Sequence, residues 1–204
     1  MIKLTAVMIY LSGLAFAEAL RLPRRIGRIR NRKAWSGMHS PPRLLELFVI
    51  AAIILGIWAL PMAYAFTNWL RPFDYSLPKW TVWVAVIVFV ISLAIRWEAQ
   101  RSLASQWSFT LETVEDQALV TSGIYSYTRH PIYLSLVLWA VAQPLLLQNV
   151  IAGLAGVVAV LLVWIVRVSR EERMMLDKFG EEYIQYMSRT GRFIPRRRTK
   201  DQAA

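Results

Sequence analysis

Five runs of apolar residues set the pattern of this chain: Leu4 to Leu20 with only Glu18 charged, then Leu47 to Phe66, Trp80 to Ile95, Ile132 to Leu147 and Val150 to Val166, all uncharged. Each run is roughly 16 to 20 residues, or about 24 to 30 Å as a helix, the thickness of a bilayer core. The pattern predicts an all-α polytopic membrane protein with about five transmembrane helices. "QN" at Gln148 and Asn149, with Pro144 just before, separates the last two runs, so these should form a tight helical hairpin. After the hairpin, "EERMMLDKFGEEYIQYMSR" places Met175, Phe179, Tyr183 and Met187 at four-residue steps, which predicts an amphipathic helix on the cytoplasmic face. No internal repeat interrupts this order, and the whole chain, 1–204, reads as one membrane domain. Its first part, 1–97, holds three spans, and 98–204 holds the hairpin and the amphipathic helix.

Composition strengthens the membrane reading, since 56% of the 204 residues are hydrophobic, too many for an ordinary soluble domain. The net charge of +11 raises nucleic acid as a partner, but its placement removes that reading. Segment 21–43 holds eight Lys/Arg, 96–129 three and 167–200 ten, leaving only Lys3, Arg71 and Lys79 for the other face of alternating spans. The positive-inside rule makes the rich side cytoplasmic, with the N-terminus outside and the C-terminus inside. Such a basic rim would attract anionic lipid headgroups. "AFAEAL" near the first run resembles a signal-peptidase site. Cleavage there is not expected, because the following "RLPRRIGRIRNRK" would have to cross the membrane. The absence of cysteine excludes disulfides, thiol nucleophiles and cysteine-ligated metals.

Chemistry concentrates in "SGIYSYTRHPIYLS", Ser122 to Ser135, where a polar loop meets an apolar run. Pro131 suits the first helical position, which makes His130 the N-cap and leaves free N–H groups at Ile132 and Tyr133. A helix N-terminus beside Arg129 is a natural anion site. The hairpin returns Arg167, Glu171 and Glu172 to the same interface, so a dipolar site is expected there. Each residue also has a plainer reading. Arg129 and Arg167 would serve as headgroup anchors, and Glu171 as an exposed partner of Arg167 worth about 0.3 to 0.5 kcal/mol.

The stretches "ALVTSGIYSYTRHPIYLS" and "RVSREERMMLDKFGEEYIQYMSRTGRFIP" resemble the C-terminal core of the isoprenylcysteine carboxyl methyltransferase and phospholipid methyltransferase superfamily. The resemblance covers roughly 117–195, and the five-span count is similar to the small prokaryotic members, which implies an inner (cytoplasmic) membrane. It implies S-adenosylmethionine as the methyl donor, bound on the cytoplasmic side beneath the final amphipathic helix. Motif by motif, the donor contacts fall on Gln117, Ala118, Leu119, Val120, Tyr125, His130, Pro131, Ile132, Tyr133 and Glu171, and Arg167 faces the acceptor. Met175 stands where the family usually has Leu, a volume-conserving change. The acceptor implied is lipophilic and enters from the bilayer. A carboxylate acceptor needs no base, and an amine acceptor would use Glu171 or Glu172. Catalytic roles are therefore expected at Arg167, Glu171 and Glu172, with no metal.

Two other readings compete with this one. Membrane sterol reductases have a similar His-Pro segment but should show Asn after the Pro and an acidic residue soon after the Tyr, where this chain has Ile132 and "YLSLVLW". A non-catalytic lipid-binding protein would have less need of His130, Glu171 and Arg167 together. The acceptor and the oligomeric state stay open at this level.

Overall fold

The computed structural model describes residues 2–20, 44–103 and 118–194. The basic loop 21–43, the polar segment 104–117 with Gln117, and the tail from 195 lie outside the described residues. Six helices account for most of the rest: α1 (Ile2–Ala19), α2 (Leu44–Phe66), α3 (Lys79–Leu103), α4 (Pro131–Leu147), α5 (Val150–Phe179) and α6 (Glu181–Arg189). Among the described residues, extended pairing is limited to two isolated bridges, Asp74 with Asn149 and Thr128 with Gly191. By length and composition α2, α3 and α5 can cross a membrane, and α4 is a shorter apolar helix.

Helix lengths depart from the apolar runs in an informative way. α3 continues two turns past Ile95 to Leu103, burying Arg96 and Gln100, and α5 runs on past Val166 to Phe179. Apolar runs report the part of a helix that suits lipid; good helix formers such as those in "RWEAQRSL" then carry the helix beyond it. The single amphipathic helix expected after the hairpin is instead two pieces. Gly180, at φ +49° and ψ −123°, breaks it into the end of α5 and α6, a backbone state that glycine alone adopts freely.

The hairpin forms as expected. Gln148 takes the left-handed conformation, and the Asn149 side chain caps α5 by accepting from the Ala152 N–H at 2.9 Å. Asn149 also donates to the Leu70 carbonyl and to Asp74, while Lys3 reaches Asp74 at 3.5 Å. This ties the loop after α2 and the start of α1 to the hairpin tip. His130, Arg167 and Glu46 gather at the opposite end, so the two ends separate as alternating helices require.

A polar knot holds the middle. Tyr10, Phe89 and Trp139 pack ring to ring with centroids 4.7 to 5.7 Å apart. The Tyr10 hydroxyl shares its proton between the Ile57 carbonyl at 2.9 Å and Gln143 Oε1 at 3.0 Å, and accepts from Trp139 Nε1. Gln143 Nε2 donates to the Gly56 and Ala152 carbonyls. Gly56 and Ile57 lie in a π-helical turn of α2, Ile54–Ala59, whose shifted register frees carbonyls for side-chain donors. Away from water each such bond has no solvent competitor, so the knot fixes the mutual register of α1, α2, α4 and α5. The outward faces of α2 and α3 stay apolar, with Phe48, Leu55, Ile87 and Val90 exposed, as lipid contact demands.

Candidate active site

The site is built where α4 begins. Pro131 occupies the first turn and His130 the N-cap position, but the imidazole does not cap the helix. It is 4% exposed and turns to α5, with Nε2 3.1 Å from Glu172 Oε1. Tyr133, one turn on, donates its hydroxyl to Glu171 Oε2 at 2.6 Å. The hairpin therefore brings His130 and Tyr133 against Glu172 and Glu171, across about forty positions of sequence. The Tyr133 and Phe193 rings flank the imidazole at 5.4 and 5.6 Å, and Trp164 meets Phe193 edge-on.

Glu172 is an anchor. Arg192 binds it through Nη2 at 2.7 Å and Nε at 3.1 Å, and Arg129 adds a contact at 3.4 Å. The residue lies past the apolar stretch that ends at Val166. Its burial would raise the carboxyl, but hydrogen bonds and charge from His130 and Arg192 outweigh it and hold the pKa at about 2. Glu172 is thus held as the anion that ties His130, Arg129 and Arg192 together. Glu171 bonds only Tyr133 among the described residues, so its Oε1 remains open to a ligand.

Arg129 is more than the headgroup anchor weighed from sequence. Its guanidinium donates to the Met187 and Thr190 carbonyls at the end of α6. The adjacent backbone follows: Arg129 and His130 N–H groups donate to the Gly191 and Arg192 carbonyls, and Thr128 Oγ1 to Arg192. Residues 190–194 are thus strapped over His130. The Tyr186 hydroxyl adds a bond to the Tyr125 carbonyl, fixing the short 3₁₀ turn Gly123–Ser126 beneath α6. Ala118, Leu119 and Val120 lead into that turn as irregular backbone and make no hydrogen bond to the cluster. Ile132 lies half-buried behind His130, its carbonyl accepting from Ser135.

Arg167 sits in a second π-helical turn, Trp164–Val168, and is 7% exposed. Among the described residues it pairs with Glu46 on α2: Nε lies 3.1 Å from Oε2, while Arg170 approaches Oε1 at 3.9 Å. This corrects the reading of Arg167 as an exposed anchor and of Glu171 as its helix-surface partner. Arg167 precedes Glu171 by one helical turn on α5, so the pair with Glu46 and the pair with Tyr133 adjoin along that helix. Sequence reasoning passed over Glu46 and Arg192. Glu46 carries a usable signal, being the only acidic residue between Glu18 and Asp74, whereas Arg192 is one of many basic residues near the C-terminus.

Residues 83–177 match the model of the isoprenylcysteine carboxyl methyltransferase (ICMT) family. The chain is 31% identical over 132 residues to the protein-S-isoprenylcysteine O-methyltransferase of Saccharomyces cerevisiae, covering 62% of this chain and 54% of the yeast protein. The human protein of that name is 29% identical over 122 residues, covering 57% of this chain and 43% of its own. The chain thus spans about half the length, or less, of these curated relatives. In fold it is similar to the solved eukaryotic intramembrane Ras methyltransferase ICMT, with a TM-score of 0.50 and 23% identity over 74% of this chain and 51% of that one. With its long apolar helices and these relatives, the chain is an integral membrane protein. The resemblance read from its C-terminal motifs therefore holds: residues 83–177 of this chain are similar to the isoprenylcysteine carboxyl methyltransferase family.

Proposed function

We propose that the protein transfers a methyl group from S-adenosylmethionine to the carboxylate of a lipophilic acceptor, of the prenylated-cysteine kind named in its relatives, at the cytoplasmic face of a membrane. The observation that carries this reading is Arg167, a buried arginine paired with the Glu46 carboxylate and one helical turn before Glu171, which Tyr133 holds. In this reading α1 to α5 are five spans of one domain, the N-terminus lies outside, and the end of α5 with α6 covers the cytoplasmic face. The basic rim meets anionic lipids, and the acceptor enters sideways from the bilayer.

The donor set suits S-adenosylmethionine. A carboxylate with an open oxygen, Glu171, stands beside the Tyr133 and His130 rings, which fits a ligand carrying ammonium and sulfonium charge. Backbone from Ala118 to Val120, Tyr125 and the start of α4 at Pro131 and Ile132 would complete the contacts, with Gln117 preceding them. When bound, S-adenosylmethionine supplies an electrophilic methyl group. The protein's part is positioning: Glu172 holds His130, Tyr133 fixes Glu171, Arg167 orients the acceptor carboxylate through its planar fork, and the 190–194 strap keeps water away. A carboxylate attacks without losing a proton. This agrees with a site whose Glu172 is held far below the range of a useful base.

Calorimetry on detergent-purified protein should show saturable binding of S-adenosylhomocysteine, weakened about tenfold or more in Glu171→Gln. Binding of a reduced nicotinamide with no response to S-adenosylhomocysteine would reject the reading.

A further inference from the structure

Glu46 does not belong to the stretch that matches the family model; it reaches the site from the first turn of α2. Its carboxylate is held in an unusual way. It lies largely buried, at 13% exposure, and faces two arginines, yet Oε1 has no hydrogen-bond partner among the described residues. The approach to Arg167 Nε at 3.1 Å is close enough for charge attraction but not aligned as a hydrogen bond. A buried carboxylate normally collects directed donors. Held by charge alone, this one is readily exchanged for a carboxylate that fits the guanidinium better.

We infer that Glu46 is a placeholder for the acceptor's carboxylate: it pairs with Arg167 until a carboxylate-bearing lipid binds, yields it then, and recaptures it once methylation has turned that group into a neutral ester. The inference rests on the methyl-transfer reading and names a positioning residue within it. Glu46 acts through Arg167 and touches neither methyl donor nor acceptor. By competing for Arg167 it sets a threshold, so that only acceptors carrying a negative charge and a long apolar group displace it. The ester has lost the charge that held Arg167, so the returning Glu46 favours its release.

The test compares wild type, Glu46→Gln and Glu46→Asp in detergent, with an amine-blocked S-farnesylcysteine as the carboxylate probe and its methyl ester as the neutral one. Removing the competing charge should lower the KM for the carboxylate about tenfold in Glu46→Gln while kcat stays within about twofold. Thermal-shift titration without donor should show the same tightening for the carboxylate and less than about twofold for the ester. Glu46→Asp keeps the charge on a shorter stem and should fall between, so a poorly folding Gln variant still leaves a reading. An unchanged or higher KM, or equal tightening of carboxylate and ester, would overturn the placeholder role. A wild-type chain that binds S-adenosylhomocysteine but not the prenylated cysteine overturns that role alone; one that binds neither overturns the methyl-transfer reading with it.

Discussion

Arg167→Ala should lower turnover of a carboxylate acceptor by about 10²- to 10³-fold while leaving S-adenosylhomocysteine affinity within about threefold. The guanidinium is buried beside Glu46 and is proposed to meet the acceptor, whereas His130, Tyr133 and Glu171 are proposed to hold the donor. Truncation also strands the Glu46 carboxylate in a poorly hydrated place, which costs stability and could be mistaken for a catalytic defect. Two further variants separate these effects. Arg167→Lys keeps the charge but loses the planar fork, so it should fold normally and still be slow. Glu46→Gln in the Arg167→Ala background should recover stability without recovering turnover. If Arg167→Ala abolished donor binding, the division between donor and acceptor residues would be wrong.

The second large effect is structural. A β-carbon on Gly156 would lie 2.2 Å from Gln143 Oε1, at the centre of the polar knot. Gly156→Ala must therefore push Gln143 away from Tyr10 and from the Gly56 and Ala152 carbonyls, all of which lie far from water. Overpacking together with several lost interhelical bonds amounts to about 3 kcal/mol or more, a fall in Tm on the order of 10 °C. Leu154→Ala on the lipid-facing side of the same helix should cost far less. Because both changes act on one network, Gly156→Ala combined with Gln143→Ala should be little worse than Gln143→Ala alone. Additive losses would mean that Gly156 and Gln143 do not share this contact.

The hairpin was legible because local chemistry encodes it. Gln148 accepts a left-handed backbone, Asn149 caps the next helix, and the flanking runs have nowhere else to go. The meeting of His130 with α5 followed from the same hairpin, since α5 is long enough to return past the level at which α4 begins. Partner choice was less legible. Glu171 and Glu172 are adjacent in sequence, yet one faces Tyr133 and the other His130 with Arg129 and Arg192, a division that depends on helix rotation rather than spacing. The pairing of Arg167 with Glu46 joins positions far apart in the chain, and no local pattern links them. The amphipathic segment was read as one helix because its apolar steps continue through Gly180, while the backbone there turns.

In the proposed reaction Arg167 and its neighbours present a lipid carboxylate for methylation. Incubating the purified protein with methyl-labelled S-adenosylmethionine and an amine-blocked S-farnesylcysteine should label the lipid in a form that mild alkali releases as methanol, the behaviour of a methyl ester. Label that resists alkali, or that appears only on an amine lipid supplied in its place, would contradict the account.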